Sequence, residues 1–340
     1  MQDLLRRVAR EKVAARADEI DRTAEYPHDM FALLKDLGLF ALPFPVEYGG
    51  MNSALSACIA VEELGRVCYN TAYLLVVQWT FFGAILAGGT EEQKQRILPG
   101  LAAGDVRGAL SLTEAQSGSD VSGIKTTARR TADGYVLSGA KIWASNAELA
   151  DFFLVAARTV DEDGNRLGIN LFIVERGAPG FTIGAAEHKM GARGVPSCPL
   201  FFEDTPLALA DRLGPEGGDG FKVAMEALNT SRPIVGARAI GIAQGAIDHT
   251  VAYIKERQAF GQKISDFQGV RWMISDMVMQ TEAARQLVYR AASMVDAGAV
   301  GAEMAPVAAM AKCFASDVAM KVATDAVQLF GAAGISNEYP

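Results

Sequence analysis

The sequence predicts an α+β protein in three parts: an N-terminal all-α domain over residues 1–107, a middle β-barrel-like domain over 108–217, and a C-terminal four-helix bundle over 218–340. Two changes of pattern carry this. Near residue 108, helical apolar spacing gives way to short apolar runs separated by turn signals. After the glycine-rich loop 213–220, helical spacing returns. Length agrees, since 340 residues is more than one compact core usually holds.

The first part has few β-branched runs and breaks at Pro27, Pro43, Pro45, Gly49-Gly50 and Pro99. Its opening, residues 1–20, mixes basic side chains with Asp3, Glu11, Asp18 and Glu19 and has no apolar stretch. It reads as an amphipathic helix rather than a targeting peptide. Residues 71–89 are almost all apolar and imitate a membrane span, but Gln78 and Thr80 sit mid-run and a polar 91–94 segment follows. A buried helix of an all-α domain is expected there, with no membrane insertion. In the middle part, runs at 135–137, 152–155 and 171–174 read as strands, two of them preceded by Asp-Gly or Asp-Gly-Asn turns. In the third part Ile240, Ala243, Ile247, Val251 and Ile254 form one helical stripe, and Ile274, Met277, Val278, Thr281, Ala284 and Val288 form another.

Composition narrows the chemistry. Lys+Arg number 32 against 40 Asp+Glu, a net charge of −8 with no basic block, which argues against nucleic acid. Four scattered Cys (58, 68, 198, 313) and three His offer neither a disulfide framework nor a metal-ligand cluster, and fit a reducing compartment. No dinucleotide G-x-G-x-x-G, phosphate-loop, G-x-S-x-G or H-E-x-x-H motif occurs.

An ordered set of motifs covers the chain: LPFPVEYGG at 42–50, GTEEQK at 89–94, LTEAQSGSD at 112–120, GAKIWASN at 139–146, VERGAPGF at 174–181 and KMGAR at 189–193. It continues with GFK at 220–222, RQAFG at 257–261, FQ at 267–268, QLFG at 328–331 and NEYP at 337–340. Together these resemble the acyl-CoA dehydrogenase family of flavoproteins, whose three-part layout is the one read above from pattern alone. The resemblance implies FAD as cofactor, an acyl-CoA substrate as in fatty-acid β-oxidation, and electron-transfer flavoprotein as acceptor. It also implies a homodimer or homotetramer, and a cytoplasmic bacterial setting rather than a mitochondrial matrix.

The residues it implies are specific. Leu110, Leu112, Thr113 and Ser119, with Trp143 and Ser145, match the loop and strand beside the flavin ring. Ser119 also matches a contact to the thioester, and Ala115 stands where Pro is usual. On its own, Trp143 reads as a core aromatic and Arg257 as a solvated helix-end residue. Within the motifs, Arg257, Phe260, Gln268, Gln328 and Gly331 match residues that hold the dinucleotide half from the neighbouring subunit, an Arg fork suiting paired phosphate oxygens. Ala332 replaces the family's second Gly. Asn229 and Arg232 match the CoA side.

The implied reaction removes an α-proton and a β-hydride from the thioester. The family's usual base is a Glu placed just after Glu-Tyr-Pro, so it is expected beyond Pro340. A minority of relatives carry it at the position of Ser231, which is no base. Slow turnover by the 340 residues alone is therefore expected. Two other readings of the same fold remain: flavin oxidase or monooxygenase chemistry, and a non-catalytic FAD- and CoA-binding subunit beside an active one.

Overall fold

The computed structural model describes residues 1–215 and 218–339. The expected boundary at 217/218 and the terminal Pro340 of the NEYP motif lie outside the described residues. The chain begins with α1 (Gln2–Val8), a single π-helical turn, α2 (Ala14–Thr23), α3 (His28–Asp36), α4 (Ala54–Gly65), α5 (Tyr69–Gly88) and α6 (Glu91–Ala103). Seven strands follow: β1 (Gly108–Ser111), β2 (Thr127–Arg130), β3 (Gly134–Ser145), β4 (Phe152–Val160), β5 (Arg166–Glu175), β6 (Phe181–Ile183) and β7 (Ser197–Ala208). Then come α7 (Gly220–Glu256), a small hairpin β8 (Gln258–Ala259) and β9 (Gln262–Lys263), α8 (Gln268–Asp296) and α9 (Gly301–Phe330).

These elements form two compact units. One holds residues 31–52 and 74–231; the other holds 1–30, 53–73 and 232–340. Three long helices follow residue 218, and the helical unit gathers α1, α2 and α4 from the start of the chain beside them.

In the sheet-bearing unit, one edge of β4 carries two short strands end to end. β1 pairs in parallel with residues 152–155, and β2 in parallel with 158–160. β5 runs antiparallel along the other edge of β4, while β2, β3, β7 and β6 continue the sheet by antiparallel pairing. Its core includes Leu137, Phe153, Val155, Phe172, Val174 and Leu200, all fully buried. The alternating inward positions of the predicted runs supply it.

The polar interruption of the apolar 71–89 run has a structural reason. Gln78 is wholly buried, donates to Val106 O at 2.8 Å and accepts from Gly108 N at 2.9 Å, so this side chain fixes the entry of β1. Gly108 is required there: a Cβ would lie 2.2 Å from the buried Phe81 ring. Trp79 Nε1 donates to Phe40 O, satisfying its one donor inside the apolar packing. By length and composition alone, α5 and the apolar stretch Gly301–Ile335 could each cross a membrane. Two thirds of the apolar window in the first is buried, and 28% of that in the second.

Candidate functional site

The sheet-bearing unit places the first set of expected residues around β1 and β3. Lys141, whose side chain is fully buried, donates to Glu114 Oε1 at 2.7 Å and to Leu112 O at 3.0 Å. Glu114 also accepts from the backbone N–H of Lys125 and Thr126 and from Gln116. Burial by itself would raise this carboxyl, but the bonds from Lys141, Lys125 and Thr126 outweigh it and hold the group at about 2. Burial pushes the Lys141 ammonium down, with Glu114 opposing. Ile142 N donates to Thr113 O at 2.9 Å, and Glu114 and Ser117 exchange backbone hydrogen bonds. The loop carrying Leu112, Thr113 and Ser119 is thereby stapled to β3.

That staple holds an uncommon backbone. Between Lys141 and Ala144 the β3–β7 register shifts, and Trp143 adopts φ 60°, a left-handed conformation costly for a bulky residue. The bulge turns the Trp143 side chain outward, 52% exposed, between buried Lys141 and buried Ala144. Strain sustained to expose a large aromatic suits a planar ligand. In the same unit, Ser111 Oγ and Asn146 Oδ1 are buried with no hydrogen-bond partner among the described residues, Asn146 itself at φ 67°. Ser145 is partly exposed; its hydroxyl lies 3.3 Å from Ser197 Oγ, which Lys189 Nζ approaches at 3.2 Å. Leu110, Leu112 and Thr113 are partly exposed and Ser119 is exposed.

The helical unit places the second set. Arg257, Gln328 and Gly331 line one cleft of about 430 Å³, together with Tyr253, Phe330 and Tyr339. The three rings pack on one another, Tyr253 and Phe330 stacked at 4.2 Å, and give the cleft an apolar side. Gly331 turns the chain out of α9 at φ 60° and has open space where a Cβ would stand. Phe260 lies outside this cleft, at the tip of the β8–β9 hairpin with φ 52°, and is 95% exposed. Gln268 is the exposed first residue of α8. Asn229 and Arg232 lie on α7.

Two residues that carry the geometry, Glu114 and Lys141, had no role in the sequence reading. The signal for them was a charged side chain at a position that must point inward in a strand, faced by a Glu in a turn.

Family descriptions match in order along the chain: Acyl-CoA dehydrogenase, N-terminal domain over residues 1–105, middle domain over 109–205 and C-terminal domain over 218–340. The chain belongs to the acyl-CoA dehydrogenase family. "Probable acyl-CoA dehydrogenase FadE25" of Mycobacterium tuberculosis is 40% identical over 341 residues, covering all of this chain and 87% of that relative. The structure of butyryl-CoA dehydrogenase from Megasphaera elsdenii superposes with a TM-score of 0.93 at 40% identity, covering 100% of this chain and 89% of that one. A chain from a structure titled for the electron transferring flavoprotein of Acidaminococcus fermentans matches at TM-score 0.93 and 42% identity, over 100% and 88%. As a member of this family, the chain is an oxidoreductase whose cofactor is FAD.

The residues present fit that cofactor. The exposed indole of Trp143 offers a stacking face, and the buried oxygens of Ser111 and Asn146, without a hydrogen-bond partner among the described residues, offer unused hydrogen-bonding capacity in the same unit. The Arg257–Gln328–Gly331 cleft combines a guanidinium, an amide and an open backbone, the donor set a pyrophosphate needs.

Proposed function

We propose that this protein dehydrogenates an acyl-CoA thioester across its α and β carbons, giving the trans-2-enoyl-CoA, and passes the electrons to an electron-transfer flavoprotein. The observation that carries the reading is Trp143: a half-exposed indole held in a strained bulge by the buried Glu114–Lys141 pair, one residue before the Ala144–Ser145 pairing with β7. The FAD, when bound, supplies the two-electron acceptor for the β-hydride.

The chain's own residues bind and orient. With FAD bound, Trp143 would offer its face to the ring system, and Leu110, Leu112, Thr113, Ser119 and Ser145 would hold its edge with hydroxyl and backbone groups. Arg257, Phe260, Gln268, Gln328 and Gly331 would hold the dinucleotide half of a neighbouring protomer's cofactor, Ser119 would also meet the thioester, and Asn229 and Arg232 would meet the CoA side. Ser231 takes no proton, because a neutral hydroxyl is far too weak a base; its O–H donates to Leu228 O at 3.0 Å within α7. The α-proton acceptor is assigned, as the family resemblance implies, to a Glu following Pro340. Domain limits near 107 and 217 and a cytoplasmic location belong to the same reading, the latter supported by bacterial relatives.

The test is optical. Protein loaded with FAD is mixed anaerobically with a panel of acyl-CoAs, first as residues 1–340 and then extended by the Tyr-Glu-Gly-Thr stretch typical of relatives. The reading expects a flavin absorption band in both, slow bleaching in the first and fast bleaching in the second. A protein that takes up no FAD would refute it, and fast bleaching by the shorter chain would refute the assigned base.

A further inference from the structure

Arg238, on α7, is a cation with no ion-pair partner among the described residues. Its guanidinium carbon lies 4.5 Å from the Tyr69 ring centroid and 4.2 Å from that of Tyr73, two rings inclined at 50° to each other. The ring faces attract the positive charge but present no lone pair to its N–H groups. Nη1 is buried and has no hydrogen-bond partner among the described residues, which is costly for a charged donor unless a ligand completes it. Burial pushes the Tyr69 hydroxyl up and Arg238 pulls it down, as a cation seated against the ring would.

The position on the helix suggests what the ligand is part of. Residue 238 returns to the stripe of residue 231 after two turns. It also lies six residues, about 9 Å along the axis, beyond Arg232, the residue assigned to the CoA side. Between these positions α7 turns Val235 to that stripe, an apolar surface suited to methylenes.

We infer that Arg238, backed by Tyr69 and Tyr73, determines specificity by taking a carboxylate at the far end of the acyl chain, so that the preferred substrates are short dicarboxylic acyl-CoA thioesters. A guanidinium fork pairs with both oxygens of a carboxylate, and the two rings fix its plane. An acyl chain ending in methyl would leave the buried N–H unsatisfied, which is how a polar site rejects an apolar analogue. The inference rests on the acyl-CoA reading above.

Binding of glutaryl-CoA and butyryl-CoA to the FAD-loaded protein is compared by calorimetry for wild type, Arg238→Leu and Arg238→Lys. Wild type should bind glutaryl-CoA at least about tenfold more tightly. Arg238→Leu should erase that ratio while binding butyryl-CoA no worse, and Arg238→Lys should restore part of it. Equal wild-type affinities overturn the inference whether or not either variant folds, as does a ratio that survives Arg238→Leu. Binding of butyryl-CoA alone leaves the acyl-CoA reading standing and removes this one; binding of neither thioester removes both.

Discussion

Glu114 and Lys141 stabilise the fold only as a pair. Removing the cation by Lys141→Met leaves a carboxylate at 4% exposure that keeps its bonds from Gln116, Lys125 and Thr126 but has lost its counter-charge, and breaking a buried ion pair typically costs about 3–5 kcal/mol. The variant should melt well below wild type and lose FAD sooner than helicity, read by near-UV and far-UV circular dichroism together. The pair also sets an acid limit. The folded Glu114 carboxyl sits at about 2 against an ordinary 4.5, so its contribution is present in full above about 4.5. It drains away as pH falls from there through about 2. Denaturant midpoints measured down that range should fall, and Glu114→Gln should flatten this part of the profile. Equal slopes in wild type and variant would show that other carboxyls govern the acid transition. Ser145 belongs to the same scale: Lys189 reaches Ser197, and Ser197 reaches Ser145, so this hydroxyl is oriented from behind rather than left to rotate.

Helices α4 and α7 approach each other closely at their backbones. A Cβ on Gly241 would stand 2.6 Å from Glu62 O, and one on Gly245 would stand 2.3 Å from Arg66 O. The close approach lets buried Glu62 on α4 accept from Arg285 and Tyr289 on α8, both at 2.8 Å, while Arg285 also reaches Gln244 on α7. Gly241→Ala should force the helices apart, costing roughly 1–3 kcal/mol as overpacking does. A thermal scan showing an unchanged or higher midpoint would mean that α7 can slide to absorb the methyl. Periodicity read much of these helices from sequence: Ile240, Ala243, Ile247 and Ile254 are all buried as the stripe requires. It misread Val278, grouped with buried Met277 yet 48% exposed, because spacing reports a stripe's direction and not its width. The strand runs at 135–137, 152–155 and 171–174 fall within β3, β4 and β5. The parallel docking of β1 and β2 end to end on β4 was not legible, since pairing between distant segments leaves no local pattern. At the candidate site, the family resemblance proposed residues for a ligand, but not Gln78, Glu114 or Lys141, whose buried hydrogen bonds hold the entry of β1 and the 112–119 loop from inside.

The residues assigned to FAD divide between the two units. Leu110, Leu112, Thr113, Ser119, Trp143 and Ser145 lie in the sheet-bearing unit, and Arg257, Phe260, Gln268, Gln328 and Gly331 lie in the helical one. On the proposed reading, each protomer lends its second set to its neighbour's cofactor, so a protein that loses its assembly should lose FAD as well. The surface of α9 supports assembly: Met310, Phe314, Met320 and Val327 are 52%, 39%, 71% and 43% exposed and fall within one broad stripe of the helix. Asp317 and Lys321 fall within the same stripe, so the face mixes large apolar side chains with charge, as surfaces between protomers do. Phe314→Glu combined with Met320→Glu should therefore dissociate the oligomer, and light scattering with absorbance detection should show flavin leaving as the mass falls. Arg257→Ala should act differently, keeping the mass and weakening FAD on the order of tenfold or more, because it removes a phosphate contact and no assembly surface. A dissociated double variant that keeps its full flavin complement would show that each protomer holds its cofactor alone. An Arg257→Ala protein with unchanged affinity would place the phosphates elsewhere.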